Sequence, residues 1–315
     1  MNARRGSKFS LGMLITAGAW LSVGEVTVQG HPGLHHDIER ISAELAQAPD
    51  CCESLIERGY LYRLNGDLSA SLADLDRAQE LDPSNRDVAL QRGLTLAALG
   101  RDAEAARELD RILNIGPVST AALAVRGDIA ARSGLHEEAI SYYTAAIALK
   151  PDVELILARG KLQESQGRPA DAAQGYREGL QLCNGALVIR LALISVETAR
   201  KEYEAANRLV DEELARVPVK GEWLLRRSDI YFAAGNLEQA RRDREAALHE
   251  ADRVLAARPT AVHYLTRARI HRAMGNSQAA ERDLQSALAK SPRFADARNL
   301  LHELQVERDV SKAGE

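Results

Sequence analysis

The side chains here that could do chemistry are a histidine group, three cysteines and a set of recurring arginines. The segment HPGLHH (31–36) holds His31, His35 and His36, and imidazole nitrogens are frequent metal ligands. The adjacent thiols Cys51 and Cys52 could add donors, but no CxxC or HExxH spacing accompanies them. These histidines are therefore metal candidates without a metal motif, and a solvated tail is the plain alternative. There is no phosphate-binding glycine loop and no GxSxG, and HEEA (136–139) reads as the opening of a helix. The sequence predicts neither an enzyme nor a cofactor.

The arginines follow a rule. ERGYLYRLNG (57–66), QRGLTLAALG (91–100), VRGDIAARSG (125–134) and ARGKLQESQG (158–167) each place arginine before one glycine and a second glycine seven residues on. Arg227 and Arg267 occupy the same slot, with serine and alanine in place of the glycine. A half-buried guanidinium needs a partner, because an unpaired buried charge is costly. Sixteen residues after four of these arginines stand Asp74, Glu108, Asp243 and Asp283. Each such pair predicts a charge-assisted hydrogen bond between two helices. Arg126 and Arg159 differ, with Tyr142 and Gly175 in the acid slot. They would need other acids or the carboxylate of a ligand.

What positions these residues is a repeat. Prolines 49, 83, 117 and 151 are spaced by 34, and Pro218, Pro259 and Pro292 continue the series, with Asn184 where one proline is skipped. Between the marks the pattern is two short helices. In the first unit LSASLADLDRAQEL (68–81) carries Leu72, Leu75, Ala78 and Leu81 on one stripe, and Asp82–Pro83 stops it. A 34-residue helix–turn–helix period is the signature of a solenoid. The chain resembles the tetratricopeptide repeat through Leu55, Gly59, Tyr62, Ser71, Leu75, Ala78 and Pro83, and through the corresponding residues of later units such as Gly127, Ala139, Tyr143, Ala146 and Pro151. The resemblance implies an all-α, right-handed superhelical solenoid of helix–turn–helix repeats.

On this reading 52–294 forms about seven repeats, and 31–51 a capping helix with a His-rich start. Residues 295–315 form a solvating helix and tail. The fifth repeat is degenerate, with Ile194 and Lys201 in the glycine slots. It also lacks the arginine and its acid together, having Leu193 and Leu209. The sixth repeat has a second helix lengthened by seven residues, from about 237 to 257. That extension either projects as a partner contact or covers the weak fifth unit. Cys183 lies more than three units from Cys52, roughly 30 Å at about 8–10 Å per helix layer. No disulfide spans that distance.

Residues 1–30 stand apart. Arg4, Arg5 and Lys8 precede the apolar run LGMLITAGAWLSVG (11–24), and small residues follow. This is the layout of a Sec-type signal peptide, and the run is too short for a bilayer span. It predicts a periplasmic or secreted protein with no integral membrane span. The 315-residue chain has a formal charge of −4, and removal of that cationic segment makes it more acidic. Mild acidity argues against nucleic acid as partner.

The resemblance implies binding of a protein or peptide on the concave face made by the first helices, and the predicted export makes an envelope protein the expected partner. The residues it places there are Tyr60, Arg63, Arg126, Asp128, Arg132, Arg159, Lys161, Glu164, Asp229, Phe232, Arg269 and Arg272. The lining changes sign along the chain and lacks the lysine–asparagine clusters with which some members of the family clamp a C-terminal carboxylate. The function expected is a non-catalytic scaffold or adaptor. The alternative is an exported metal-handling accessory protein that uses its His-rich N-terminus.

Overall fold

The computed structural model describes residues 32–115 and 117–313. Residues 1–30, read above as a signal segment, and His31 lie outside the described residues. Within them the chain is a run of sixteen α-helices with no strand, and it divides into two compact units, one ending at Ile115 and the other beginning at Gly116.

The first unit contains α1 (Pro32–Gln47) and the antiparallel hairpins α2 (Cys52–Asn65)/α3 (Leu68–Leu81) and α4 (Arg86–Ala98)/α5 (Asp102–Leu113). Helix α3 has the span its stripe predicts. Asp67 caps it, accepting from the amide of Ala70 at 3.1 Å, and such caps satisfy donors that the helix itself leaves orphaned. Gly66 closes α2 with φ at 85°, a left-handed conformation that a Cβ penalises. Helix α1 covers the exposed flank of the first hairpin. Its Ile38, Ile41 and Leu45 are buried with Leu55, Leu61, Ala78 and Val88.

The second unit holds five hairpins and a final helix. They are α6 (Thr120–Arg132)/α7 (His136–Leu149), α8 (Val153–Ser165)/α9 (Pro169–Leu182), α10 (Leu187–Ala199)/α11 (Tyr203–Arg216), α12 (Gly221–Ala233)/α13 (Leu237–Ala257), α14 (Ala261–Ala273)/α15 (Ser277–Lys290), and then α16 (Ala295–Ala313). Close approach within a hairpin follows from the first glycine of each repeat. A Cβ at Gly160 would overlap the ring of Tyr176, which is fully buried. In the fifth repeat the volumes are exchanged: Ile194 takes the glycine position, and the residue sixteen on is the smaller Val210, both buried. Lys201 there adopts φ 64°, where its counterparts are glycines.

Helix α13 does not project freely. Ala251 and Leu255, in its additional turns, are buried, and Ala251 packs with Leu225, Ala247 and Ile270. Ala297, Leu300 and Leu304 of α16 close the last hairpin against Leu265, Leu284 and Ala287.

Candidate functional site

The recurring arginines form clamps. Arg58 donates through Nε and Nη2 to the two carboxylate oxygens of Asp74, both at 2.7 Å, while its Nη1 reaches Ser42 Oγ on α1 at 3.1 Å. Arg92 Nη1 meets Glu108 at 2.6 Å and its Nε meets Asp76 at 2.6 Å. Arg227 grips Asp243 through Nε and Nη2 at 2.7 and 2.8 Å, and its Nη1 takes Asp211 at 2.7 Å. Arg267 does the same with Asp283 at 2.8 and 2.6 Å, and with Asp252 at 2.8 Å. The pairing with the acid sixteen residues on was legible in sequence. The second contact, to the preceding repeat, was not, although Asp76 and Asp211 stand sixteen residues before their arginines. Asp252 comes from the additional turns of α13. Each guanidinium thus joins three helices, and the hydrogen bonds of Asp243 and Asp283 hold Arg227 and Arg267 still more firmly protonated.

The fifth repeat replaces the pair as expected: Leu193 is buried, and Leu209 packs against the same cluster. A different, buried arginine serves it, Arg190, which meets Glu212 at 2.6 Å and Glu213 at 3.0 Å. In the third repeat Arg126 lies 5.0 Å from the centre of the Tyr142 ring and donates to its hydroxyl at 3.3 Å. In the fourth, Arg159 is buried and donates from Nη1 to Thr144 Oγ1 at 3.2 Å.

The remaining candidates lie on first helices. In the first unit Tyr60 is exposed, with the guanidinium of Arg63 5.3 Å from its ring centre. Arg63 also donates to Gln91 at 2.9 Å, and burial pushes its pKa down. Beside them an open recess of about 430 Å³ is lined by Glu53, Ile56, Glu57, Tyr60, Asp87 and Gln91. Sequence reasoning missed these acids. The signal was available in the period: Asp87 stands 34 residues after Glu53, so the two carboxylates occupy one position of successive repeats.

In the second unit Asp128 accepts from the hydroxyl of Tyr143 at 2.7 Å, and Glu164 from that of Tyr176 at 2.8 Å. Both tyrosines are buried and belong to second helices, so their rings fill the hairpin while their hydroxyls emerge at the first-helix face. Burial, then the bonded carboxylate, raises both phenol pKa values, and the hydroxyls remain donors. Arg244 repeats this reach in the sixth repeat, 3.9 Å from Asp229 and 5.2 Å from the ring centre of Phe232. Phe232 and Asp229 are exposed, as are Arg132 and Lys161. Arg269 lies 3.5 Å from both Glu222 and Asp296. Arg272 is held by the chain's own last helix, through Glu303 at 2.8 Å and Glu307 at 2.6 Å.

His35 and His36 are exposed on α1. Among the described residues no three His, Cys, Asp or Glu side chains gather as metal ligands. The cysteines are free and half-buried. A hydrogen bond from Ser54 lowers the Cys51 thiol pKa, whereas burial raises that of Cys52.

A family model, Tetratricopeptide repeat, matches residues 56–120, 90–154, 126–186 and 265–303. The chain belongs to the tetratricopeptide repeat family. Tetratricopeptide repeat protein 36 of Homo sapiens is 32% identical over 83 residues, which is 25% of this chain and 44% of that protein. The Xenopus tropicalis protein of the same name is also 32% identical over 83 residues, covering 41% of its length. The chain thus spans less than half the length of these curated relatives. The solved C-terminal part of a TPR repeat-containing protein from Cytophaga hutchinsonii superposes with a TM-score of 0.55 at 14% identity, over 78% of this chain and 98% of that one. A tetratricopeptide repeat protein from Parabacteroides merdae aligns at 22% identity with a TM-score of 0.49, over 81% and 98% of the two chains. The superposition on the Cytophaga hutchinsonii structure shows the fold independently of the repeat spacing. Repeats of this family serve generally as protein-binding scaffolds, and among the described residues no helix is long and apolar enough to cross a membrane.

Proposed function

We propose that this chain is a non-catalytic scaffold or adaptor of the cell envelope, which binds a protein or peptide segment on the face made by its first helices. The observation that carries this reading is the open recess at Tyr60. It combines an exposed aromatic ring with Ile56 and the carboxylates of Glu53, Glu57 and Asp87, a lining suited to a lysine or arginine on an extended segment. Cation–π attraction to the ring and charge-assisted hydrogen bonds to the acids would act on the same side chain. In the second unit, Asp128 and Glu164 are already oriented by tyrosine hydroxyls, which lowers the ordering cost of binding. The cationic, apolar and small-residue order of residues 1–30 supports export before folding.

The test places a photo-cross-linker at position 60 and, as control, at Glu80, which is exposed on the second helix of the same hairpin. A specific partner is captured from position 60 but not from position 80, and Asp87→Lys abolishes its capture. Equal labelling from both positions contradicts the groove. N-terminal sequencing of chain recovered from the periplasm or medium tests export; an intact Met1 in a cytosolic fraction contradicts it.

A further inference from the structure

Three of the clamps share one geometry, and the fourth repeat keeps only half of it. In Arg58, Arg227 and Arg267 the Nε–Nη2 edge holds the carboxylate of the acid sixteen residues on, and Nη1 reaches back to the helix that precedes the hairpin. Arg159 keeps the second half of this arrangement, with Nη1 on Thr144 Oγ1. The first half has no side chain to make it, because the acid slot is Gly175. The guanidinium leans over that bare backbone: a Cβ on Gly175 would lie 3.0 Å from Nη2 and in contact with Nε at 3.7 Å to that atom. Arg159 is only 9% exposed. Among the described residues its one side-chain hydrogen bond is that to Thr144, and it makes no ion pair. Burial lowers its pKa, opposed from farther away by Glu178, which is exposed and accepts from Gln174 at 2.9 Å.

A planar guanidinium edge of this kind matches a carboxylate in bidentate fashion. The group that separates Gly175 from the aspartates of the sibling repeats is one CH2COO−, the size of an acetate ion. We infer that the Arg159–Gly175–Thr144 site binds a small free carboxylate, which takes the place that the aspartate side chain occupies in the sibling repeats. The guanidinium itself now fills part of that place, so binding requires it, as the mobile end of a long side chain, to withdraw toward the position its counterparts hold. This site is independent of the groove of first helices, and its success or failure does not bear on partner capture at position 60.

The experiment follows thermal unfolding of the full chain in rising sodium acetate, against sodium chloride at equal ionic strength. Wild type gains about 2 °C more in acetate than in chloride, the shift expected of a weakly held ligand near saturation. Arg159→Gln loses that difference because the donor edge is gone. Gly175→Asp loses it because the chain now supplies the carboxylate, and its melting temperature without acetate rises instead. Equal shifts in acetate and chloride, or an acetate effect retained in Arg159→Gln, overturn the proposal. Should Gly175→Asp fold poorly, Arg159→Gln decides the matter alone.

Discussion

The fourth and seventh repeats solve the same packing problem in opposite ways. In the seventh, Arg267 spends its charge on Asp283 and Asp252, and Ala268 beside it packs with the modest Leu284. In the fourth, Arg159 has a threonine where the seventh has Asp252 and a glycine where it has Asp283. The next position is Gly160, pressed by a tyrosine. The seventh repeat is thus tied by ion pairs, and the fourth by a large buried ring whose hydroxyl holds Glu164. One repeat pattern therefore tolerates a trade between charge pairing and volume. Where the trade leaves a guanidinium without a carboxylate, a site becomes available.

The largest effect should come from Asp283→Ala. It leaves a guanidinium that is three-quarters buried (side-chain exposure 26%, against 6% for Asp283) with only the exposed Asp252, and loss of one member of a buried pair costs about 3 kcal/mol. Urea denaturation of the full chain reads this directly. Next is Gly160→Ala, which forces a methyl group into the Tyr176 ring and should cost about 2 kcal/mol, the scale of overpacking a closed core. The seventh repeat already carries alanine there, so Ala268→Gly should show no comparable gain. Tyr176→Phe keeps the ring and removes one donor to Glu164. The loss should be about 1 kcal/mol, and it would show that the ring, more than its hydroxyl, holds the fourth hairpin. Smallest is Gly175→Ala. The helix-forming advantage of alanine over glycine is offset by the displaced guanidinium, and the denaturation midpoint should move by no more than about 0.5 kcal/mol equivalent.

Sequence reasoning reached the fold because the 34-residue period is carried by residues with strict local duties. Gly66 must adopt a positive φ, Gly160 must admit a ring, and the prolines must stop helices. It also reached the pairing of Arg58, Arg92, Arg227 and Arg267 with the acid sixteen residues on, and the joint loss of both members at Leu193 and Leu209. It did not reach the backward contacts to Asp76, Asp211 and Asp252, because they depend on how one hairpin stacks on the next. Nor did it reach the tyrosine hydroxyls at Asp128 and Glu164. Tyr143 and Tyr176 match the family's aromatic position and read as core, which they are, but a phenol long enough to cross the hairpin also delivers its oxygen to the far face. The reach of Arg244 to Asp229 and Phe232 escaped for the same reason. Conversely, Arg272 was read as part of the binding face from its position on α14 alone, and only the course of α16 brings Glu303 and Glu307 to it.

The most direct test of this account compares Arg267→Gln with Arg159→Gln by equilibrium denaturation in chloride buffer. If the arginines are structural wherever a carboxylate meets them, Arg267→Gln leaves the buried Asp283 unpaired and loses about 3 kcal/mol. Arg159→Gln removes a buried charge that no carboxylate compensates, and it should stay within about 1 kcal/mol of wild type or gain stability. Equal losses at the two positions would contradict the distinction on which both the clamp and the carboxylate site rest.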